Sequence, residues 1–197
     1  MAYKQHFVEW FSGKQLPSYW YMSGDNGSAM DTKAASTGGY ELKTFTSANA
    51  NCNISFNGKR PFDLASSTFH AVASKGQLLS TRSFYVGLSH HNVIGVDANN
   101  SYGFFYHNTD TGDDLQARTG DGTATTKTST GILFTTQPYA FKSTSTGSST
   151  LHYVNGELRV TKTTNNPTGV GQPSFVIGAN SGVFTTGNIR YFEAYNT

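Results

Sequence analysis

At 197 residues the chain has about one domain's length, and it can bury a core without covalent staples. Only 13% of the residues are charged and 36% are apolar, so the surface is covered by Ser, Thr, Asn and Gly rather than by ions. A formal charge of +2, with no basic run longer than Lys59-Arg60, leaves no electrostatic footprint for nucleic acid or anionic lipid, and one cysteine, Cys52, excludes an internal disulfide.

The stretch Met1 to Phe7 lacks a basic segment followed by an apolar one, and no window approaches the roughly 18 apolar residues of a membrane span. The expectation is a protein not exported by a cleaved signal and not embedded in a membrane. Gln5 to Phe11 reads as a strand ending at Ser12-Gly13, and Leu16-Pro17-Ser18 as a loop leading into the aromatic strand Tyr19 to Met22. Ser23 to Ser28 is turn material. From Gly39 to Phe45, Tyr40 and Leu42 point one way while Glu41 and Lys43 point the other, which predicts one wet face. Cys52 to Phe56 has period-two apolar positions, and in Ser67 to Ser74 the residues Phe69, Ala71 and Ala73 share a face. Arg82 to Leu88 and Tyr102 to Tyr106 are aromatic strands, separated by a long loop from His90 to Asn100. No segment carries sustained helical periodicity.

Asp114 to Arg118 reads as a weak strand, and the threonine-rich run Thr123 to Thr130 is open between an exposed edge strand and a loop. The strongest local signal follows. Pro138 to Lys142 and Thr150 to Val154 are joined by a polar run, and Asn155-Gly156 then forms a two-residue turn into Glu157 to Lys162, because both turn residues tolerate the positive φ of a type I′ hairpin. The alternation places Tyr139, Phe141, Leu151, Tyr153, Leu158 and Val160 inside, subject to a one-residue register slip that would turn half of them outward. Pro173 to Gly178 and Gly187 to Tyr195 close the chain as strands. The pattern implies one domain, residues 1–197, folded as an antiparallel two-sheet β-sandwich of jelly-roll type.

The Tyr-Val-Asn-Gly turn followed by Leu-x-Val at 158–160, the opening with Phe7, Trp10, Trp20 and Gly38-Gly39 before Tyr40-Glu41-Leu42, and the closing Ile189-Arg190-Tyr191-Phe192 together resemble concanavalin A-like and laminin G-like domains. Many relatives with that sandwich are retaining glycosidases, whose chemistry needs two carboxylates about 5 Å apart. They present these as Glu-x-Asp-x-(x)-Glu on one strand. Here Glu9, Glu41, Glu157 and Glu193 each stand without a second acid within three residues, so no catalytic residue is assigned and no hydrolytic activity is expected. Glu157 reads as a solvated strand start and Glu193 as a partner for a base such as Arg190.

Asp110 to Asp114, and Asp97 with Asn99 and Asn100, have oxygen donors for Ca²⁺, but turn chemistry explains them better, and no metal or other cofactor is expected. Gly169-Val170-Gly171 precedes a strand rather than a helix and is no phosphate loop. The candidate ligand-binding residues are His90, His91, Tyr106 and His107, beside the long loops, where aromatic rings and imidazoles would meet the faces and hydroxyls of a glycan; Trp20 and its neighbours Tyr19 and Tyr21 are better assigned to the core.

Two classes of function remain. A neutral Thr/Ser/Gly/Asn exterior without an export signal suits a non-catalytic phage or virus structural protein. Such a protein would be a capsid-decorating or head-surface component, made in the host cytoplasm and located in the virion. Its partners would be a capsid or tail protein of the same particle and further copies of itself, through Met1 to His6 or the edge at Thr123 to Thr130, with neither nucleic acid nor membrane involved. The alternative is a carbohydrate-binding adhesin or tail-associated receptor-binding protein that recognises a cell-surface glycan, and a glycoside hydrolase stands behind both.

Overall fold

The structure, a computed structural model, describes residues 5–12, 16–24, 31–34, 38–44, 51–56, 58–76, 81–90, 100–107, 113–179 and 185–197. In chain order the strands among them are β1 (His6–Trp10), β2 (Tyr21–Gly24), β3 (Asp31–Ala34), β4 (Tyr40–Lys43), β5 (Asn51–Ser55), β6 (Phe62–Asp63), β7 (Ser67–Lys75) and β8 (Thr81–Ser89), followed by β9 (Ser101–His107), β10 (Asp114–Gly120), β11 (Thr125–Leu133), β12 (Tyr139–Ser145), β13 (Thr150–Val154), β14 (Glu157–Lys162), β15 (Val170–Ala179) and β16 (Thr186–Asn196). The described residues contain no helix. The strands form two antiparallel sheets. Sheet A runs β14-β13-β12-β7-β16-β4-β3, with β1 also paired to β16, and sheet B runs β11-β10-β9-β8-β15-β5-β2, with β6 paired to β15. The two packed sheets are the all-β jelly-roll sandwich that the alternation implies.

Period-two patterning sets the core, because each strand turns alternate side chains towards the opposite sheet. Sheet A contributes Tyr40, Leu42, Phe69, Phe141 and Phe192 and sheet B contributes Ile54, Phe84, Phe104, Phe175 and Ile177 to one apolar cluster. Phe69 and Phe192 stack with centroids 5.8 Å apart, and Trp20 lies edge-on to Phe7 and Phe56. Trp20 is therefore core, but Tyr19 and Tyr21 beside it are 46% and 43% exposed. Burying one such ring stabilises the fold by about 1.5–3 kcal/mol relative to leaving it in water.

The hairpin forms as expected, with Asn155 at φ 52° and Gly156 at φ 86°. Its turn is also docked sideways. The Asn155 amide donates to the Ala140 carbonyl (2.8 Å), and Asn155 Oδ1 accepts from the Ala140 amide (2.9 Å). The register of β13 is a correction. Phe141 pairs with Ala71 of β7 and with Val154 of β13, so Val154, His152 and Thr150 face the core while Leu151 and Tyr153 face out. A bulge between His152 and Tyr153 then leaves Leu158 51% exposed while Val160 stays inside. Thr125–Leu133 is an edge strand rather than a loop, and its threonine hydroxyls bond across to sheet A: Lys162 Nζ donates to Thr128 Oγ1 (2.7 Å) and Asn165 Nδ2 to Thr126 Oγ1. The short strands β3 and β6 have no counterpart in the sequence reading.

Candidate functional site

Sheet B has a second face, pointing away from the core. Strand pairing arranges its side chains in transverse rows. One row reads Tyr21, Ser55, Ser174, Gly87, Gly103, Arg118, Lys127 across β2, β5, β15, β8, β9, β10 and β11. The neighbouring row reads Ser23, Asn53, Val176, Tyr85, Phe105, Gln116, Ser129. Small residues at the centre make room for one large one. A Cβ on Gly87 would lie 2.3 Å from the Tyr102 carbonyl oxygen and 2.8 Å from the Tyr85 hydroxyl, and one on Gly103 would lie 2.3 Å from the Val86 carbonyl oxygen. The Tyr85 phenol lies in the space so left, donating to the carbonyls of Leu88 (2.9 Å) and Tyr102 (3.1 Å).

Most of this face is removed from water. Tyr85, Phe105 and Val176 form a separate apolar cluster, and Arg118 is fully buried, its guanidinium 5.5 Å from the Phe105 ring centre. Lys127 Nζ sits 4.3 Å from the same ring, and His107 stacks parallel to it with 6.2 Å between centroids. Burial holds the Tyr85 hydroxyl well above the usual phenol range, so it remains a protonated donor. Across β5 and β15, however, Asn53 Oδ1, Ser55 Oγ and Ser174 Oγ are buried without a hydrogen-bond partner. Ser55 and Ser174 are direct cross-strand partners, and Asn53 holds its neighbour Ser23 through Nδ2 (2.7 Å). Asn53, Ser55 and Ser174 are at most 1% exposed, so these three oxygens are covered as well as unpaired, where buried polar groups are otherwise almost always paired. Beyond the Phe105–Gln116 pair, His107 and Asp114 occupy the next outward positions of β9 and β10, bringing an imidazole and a carboxylate to one end of the face.

The three described candidates, His90, Tyr106 and His107, are not brought together. His107 lies on this face. Tyr106 precedes it on the strand and so points the opposite way, into the core, where its hydroxyl donates to Asp113 (2.9 Å) and it cannot meet a glycan on the sheet B face. His90 caps the far end of β8 with Nδ1 2.8 Å from the Val170 carbonyl oxygen, and His91 lies outside the described residues. Asn53, Ser55 and Ser174 were missed because a Ser or Asn alternating with Cys52, Ile54, Phe175 and Ile177 has the pattern of any outward polar position. Only the burial of both faces distinguishes them, and Val176 within β15 was the one local sign of it.

Of the calcium donors considered, Asp97, Asn99 and residues 110–112 lie outside the described residues. Asp113 is committed instead to the buried Lys75 ammonium (3.2 Å) and to Tyr106, whose hydrogen bond is the main cause holding its carboxyl below the usual range. Lys75 Nζ also lies 3.9 Å from the Tyr106 ring centre, and its burial lowers its own pKa. Among the described residues no group of three or more metal-ligating side chains occurs. Glu193 pairs not with Arg190 but with His6 Nε2 (2.9 Å) and the Tyr191 hydroxyl (2.8 Å), whereas Glu157 is a solvated strand start bonded to Arg159.

No protein-family model matches the sequence, nor does any curated protein. The structure matches those of carbohydrate-active enzymes. A Bacillus licheniformis β-glucanase superposes with a TM-score of 0.68 at 12% identity over 98% of both chains. The Crh5 transglycosylase gives 0.66 at 11% identity over 98% of this chain and 84% of that one, and an endo-β-1,4-glucuronan lyase from the fungus Trichoderma reesei gives 0.63 at 9% over 97% and 95%. These neighbours overturn two expectations. The non-catalytic virion protein is withdrawn, because the folds matched along nearly the whole chain are those of proteins acting on carbohydrates. The expectation that the chain is not an enzyme falls with it: its ground was a missing one-strand acidic motif, yet the chain adopts the fold of a glucanase, a transglycosylase and a lyase without that motif. What the likeness establishes is the architecture, and that architecture is the concanavalin A-like jelly roll.

Proposed function

We propose that the protein is carbohydrate-active and takes a saccharide chain on the outward face of sheet B. The observation that carries this reading is the group of unpaired oxygens, Asn53 Oδ1, Ser55 Oγ and Ser174 Oγ, on adjoining strands; each residue is at most 1% exposed, so a saccharide reaches them by displacing what covers them. Sugar hydroxyls both donate and accept, so they suit oxygens of mixed character, and the half-exposed Tyr21 at the start of the same row offers a ring for the apolar face of a pyranose. His107 and Asp114, two rows from Ser55 and Ser174 on the same face, are the acid and base groups a chain lying along that face would meet, for proton transfer to a glycosidic oxygen or from a sugar carbon. The named activities of the structural neighbours support the same substrate class.

The test is incubation with soluble β-glucans, xylan and polyglucuronate, reading new reducing ends for hydrolysis and unsaturated products for elimination. The expected result is turnover of at least one polymer. His107→Ala and Asp114→Ala should each lower it by about 10²-fold or more, and Ser174→Val should weaken binding. A protein that neither binds nor degrades any polymer of the panel refutes the reading.

A further inference from the structure

The outward face of sheet A, on the other side of the sandwich, carries its own arrangement of aromatic and hydrogen-bonding groups. Its first transverse row is Trp10, Tyr191, Val72, Ala140, and its second is Val8, Glu193, His70, Lys142, Tyr153. The small side chains of Val72 and Ala140 form the floor of a groove of about 430 Å³, with Tyr191 on one side and Tyr153 on the other. That volume lies in the range of small-molecule sites. Trp10 extends the wall: it is 68% exposed, with its ring centre 4.5 Å from that of Tyr191. A second depression of about 530 Å³ is lined by His6, Glu193 and Tyr195, and Glu193 is the cross-strand partner of His70 in the first.

We propose that this groove binds a neutral saccharide chain, as a site separate from that on sheet B. Indole and phenol faces stack on the C–H faces of pyranose rings, and an exposed tryptophan held against a tyrosine is a ready platform for one. The second row supplies what hydroxyls need. Glu193 accepts, fixed by His6 and Tyr191; Lys142 donates, its ammonium 5.2 Å from the Tyr153 ring centre; and His70 between them is kept neutral chiefly by burial, able to do both. A carboxylate and an ammonium flanking a neutral imidazole cancel, which favours an uncharged ligand. An extended peptide adding as a strand finds no place here, because β16, β7, β12 and β13 are paired on both edges.

The experiment uses the intact chain with mixed-linkage β-glucan, laminarin, xylan, mannan, dextran and polyglucuronate. It reads retardation in polysaccharide-containing native gels and tryptophan emission. The chain has two tryptophans, and Trp20 is buried, so a saccharide-induced change in emission reports on Trp10. At least one neutral polymer should bind, and Trp10→Ala and Tyr153→Ala should each weaken retardation tenfold or more without lowering Tm. In the His107→Ala and Ser174→Val variants the sheet A binding should be unchanged, so failure of one site is distinguishable from failure of the other. Unaltered retardation in both aromatic variants, no change in Trp10 emission with any neutral polymer, or binding of polyglucuronate alone would overturn the proposal.

Discussion

His152 gives the fold a calculable sensitivity to acid. Its imidazole is fully buried between the sheets, edge-on to Phe104 (5.5 Å between centroids), with Nδ1 2.8 Å from Ser143 Oγ. Burial, reinforced by the nearby Lys162 ammonium, lowers its pKa to about 3, against 6.5 for a free imidazole. The folded-state value is depressed for a base. Between those two values the unfolded chain therefore binds a proton that the folded chain refuses, and stability falls as pH falls. At pH 7 the folded ring is neutral and the unfolded one mostly so, and the proton linkage costs only about 0.2 kcal/mol. At pH 5, 1.5 units below the unfolded pKa, the loss is about 2 kcal/mol, a figure insensitive to the folded pKa so long as that stays below about 4. For a domain of this size it corresponds to a fall in Tm of about 4–8 °C. The assay is thermal or urea unfolding at pH 7 and pH 5 for the unmodified protein and for His152→Asn. The variant keeps a hydrogen-bonding group near Ser143 but does not titrate, so it should be less stable at pH 7 yet lose about 2 kcal/mol less on acidification. His70 is depressed in the same direction and cancels in the comparison. Equal losses in the two proteins would refute the reasoning.

Two further outcomes are open to direct measurement. Gly103→Ala should lower stability by about 1–3 kcal/mol, read by urea unfolding, because the new methyl would press on the Val86 carbonyl of a neighbouring strand rather than on a flexible side chain. Cys52 is fully buried, which pushes its thiol up to about 12, so iodoacetamide at pH 8 should leave it unmodified in the native protein and alkylate it once urea unfolds the chain; mass spectrometry reads the difference.

What could be read in the sequence was what neighbouring residues decide. Asn155-Gly156 dictates its turn by backbone chemistry alone, and the alternation at Tyr40-Glu41-Leu42-Lys43 reports one wet face. The face of β13 was not legible, because it is set by the pairing of Phe141 with Ala71 and Val154, residues 70 and 13 positions away along the chain. The adjacent aromatics Phe84-Tyr85 and Phe104-Phe105 show that both faces of β8 and β9 are occupied, but not which ring joins which cluster. At the site, residue type alone does not decide: Tyr106 and His107, being consecutive on a strand, face opposite ways, and only His107 lies on the outward face. The polar group at Asn53, Ser55 and Ser174 joins segments about 120 residues apart, and only the pairing of β5 with β15 brings it into being.

The position of β16 at the middle of sheet A has a consequence for biosynthesis. It bonds to β7 on one side and to β4 and β1 on the other, yet it is translated after every other strand of the sandwich. While the chain is still emerging, β14-β13-β12-β7 and β3-β4 are two fragments of one sheet with nothing between them, each presenting an open inner edge that in the finished molecule is never exposed. Sheet B has its own late arrival in β15, so both layers wait for the last quarter of the chain. Closure of the sandwich is thus a late and long-range event, and the nascent protein must be kept from pairing those edges with other chains until the strands that fill the gaps have been made.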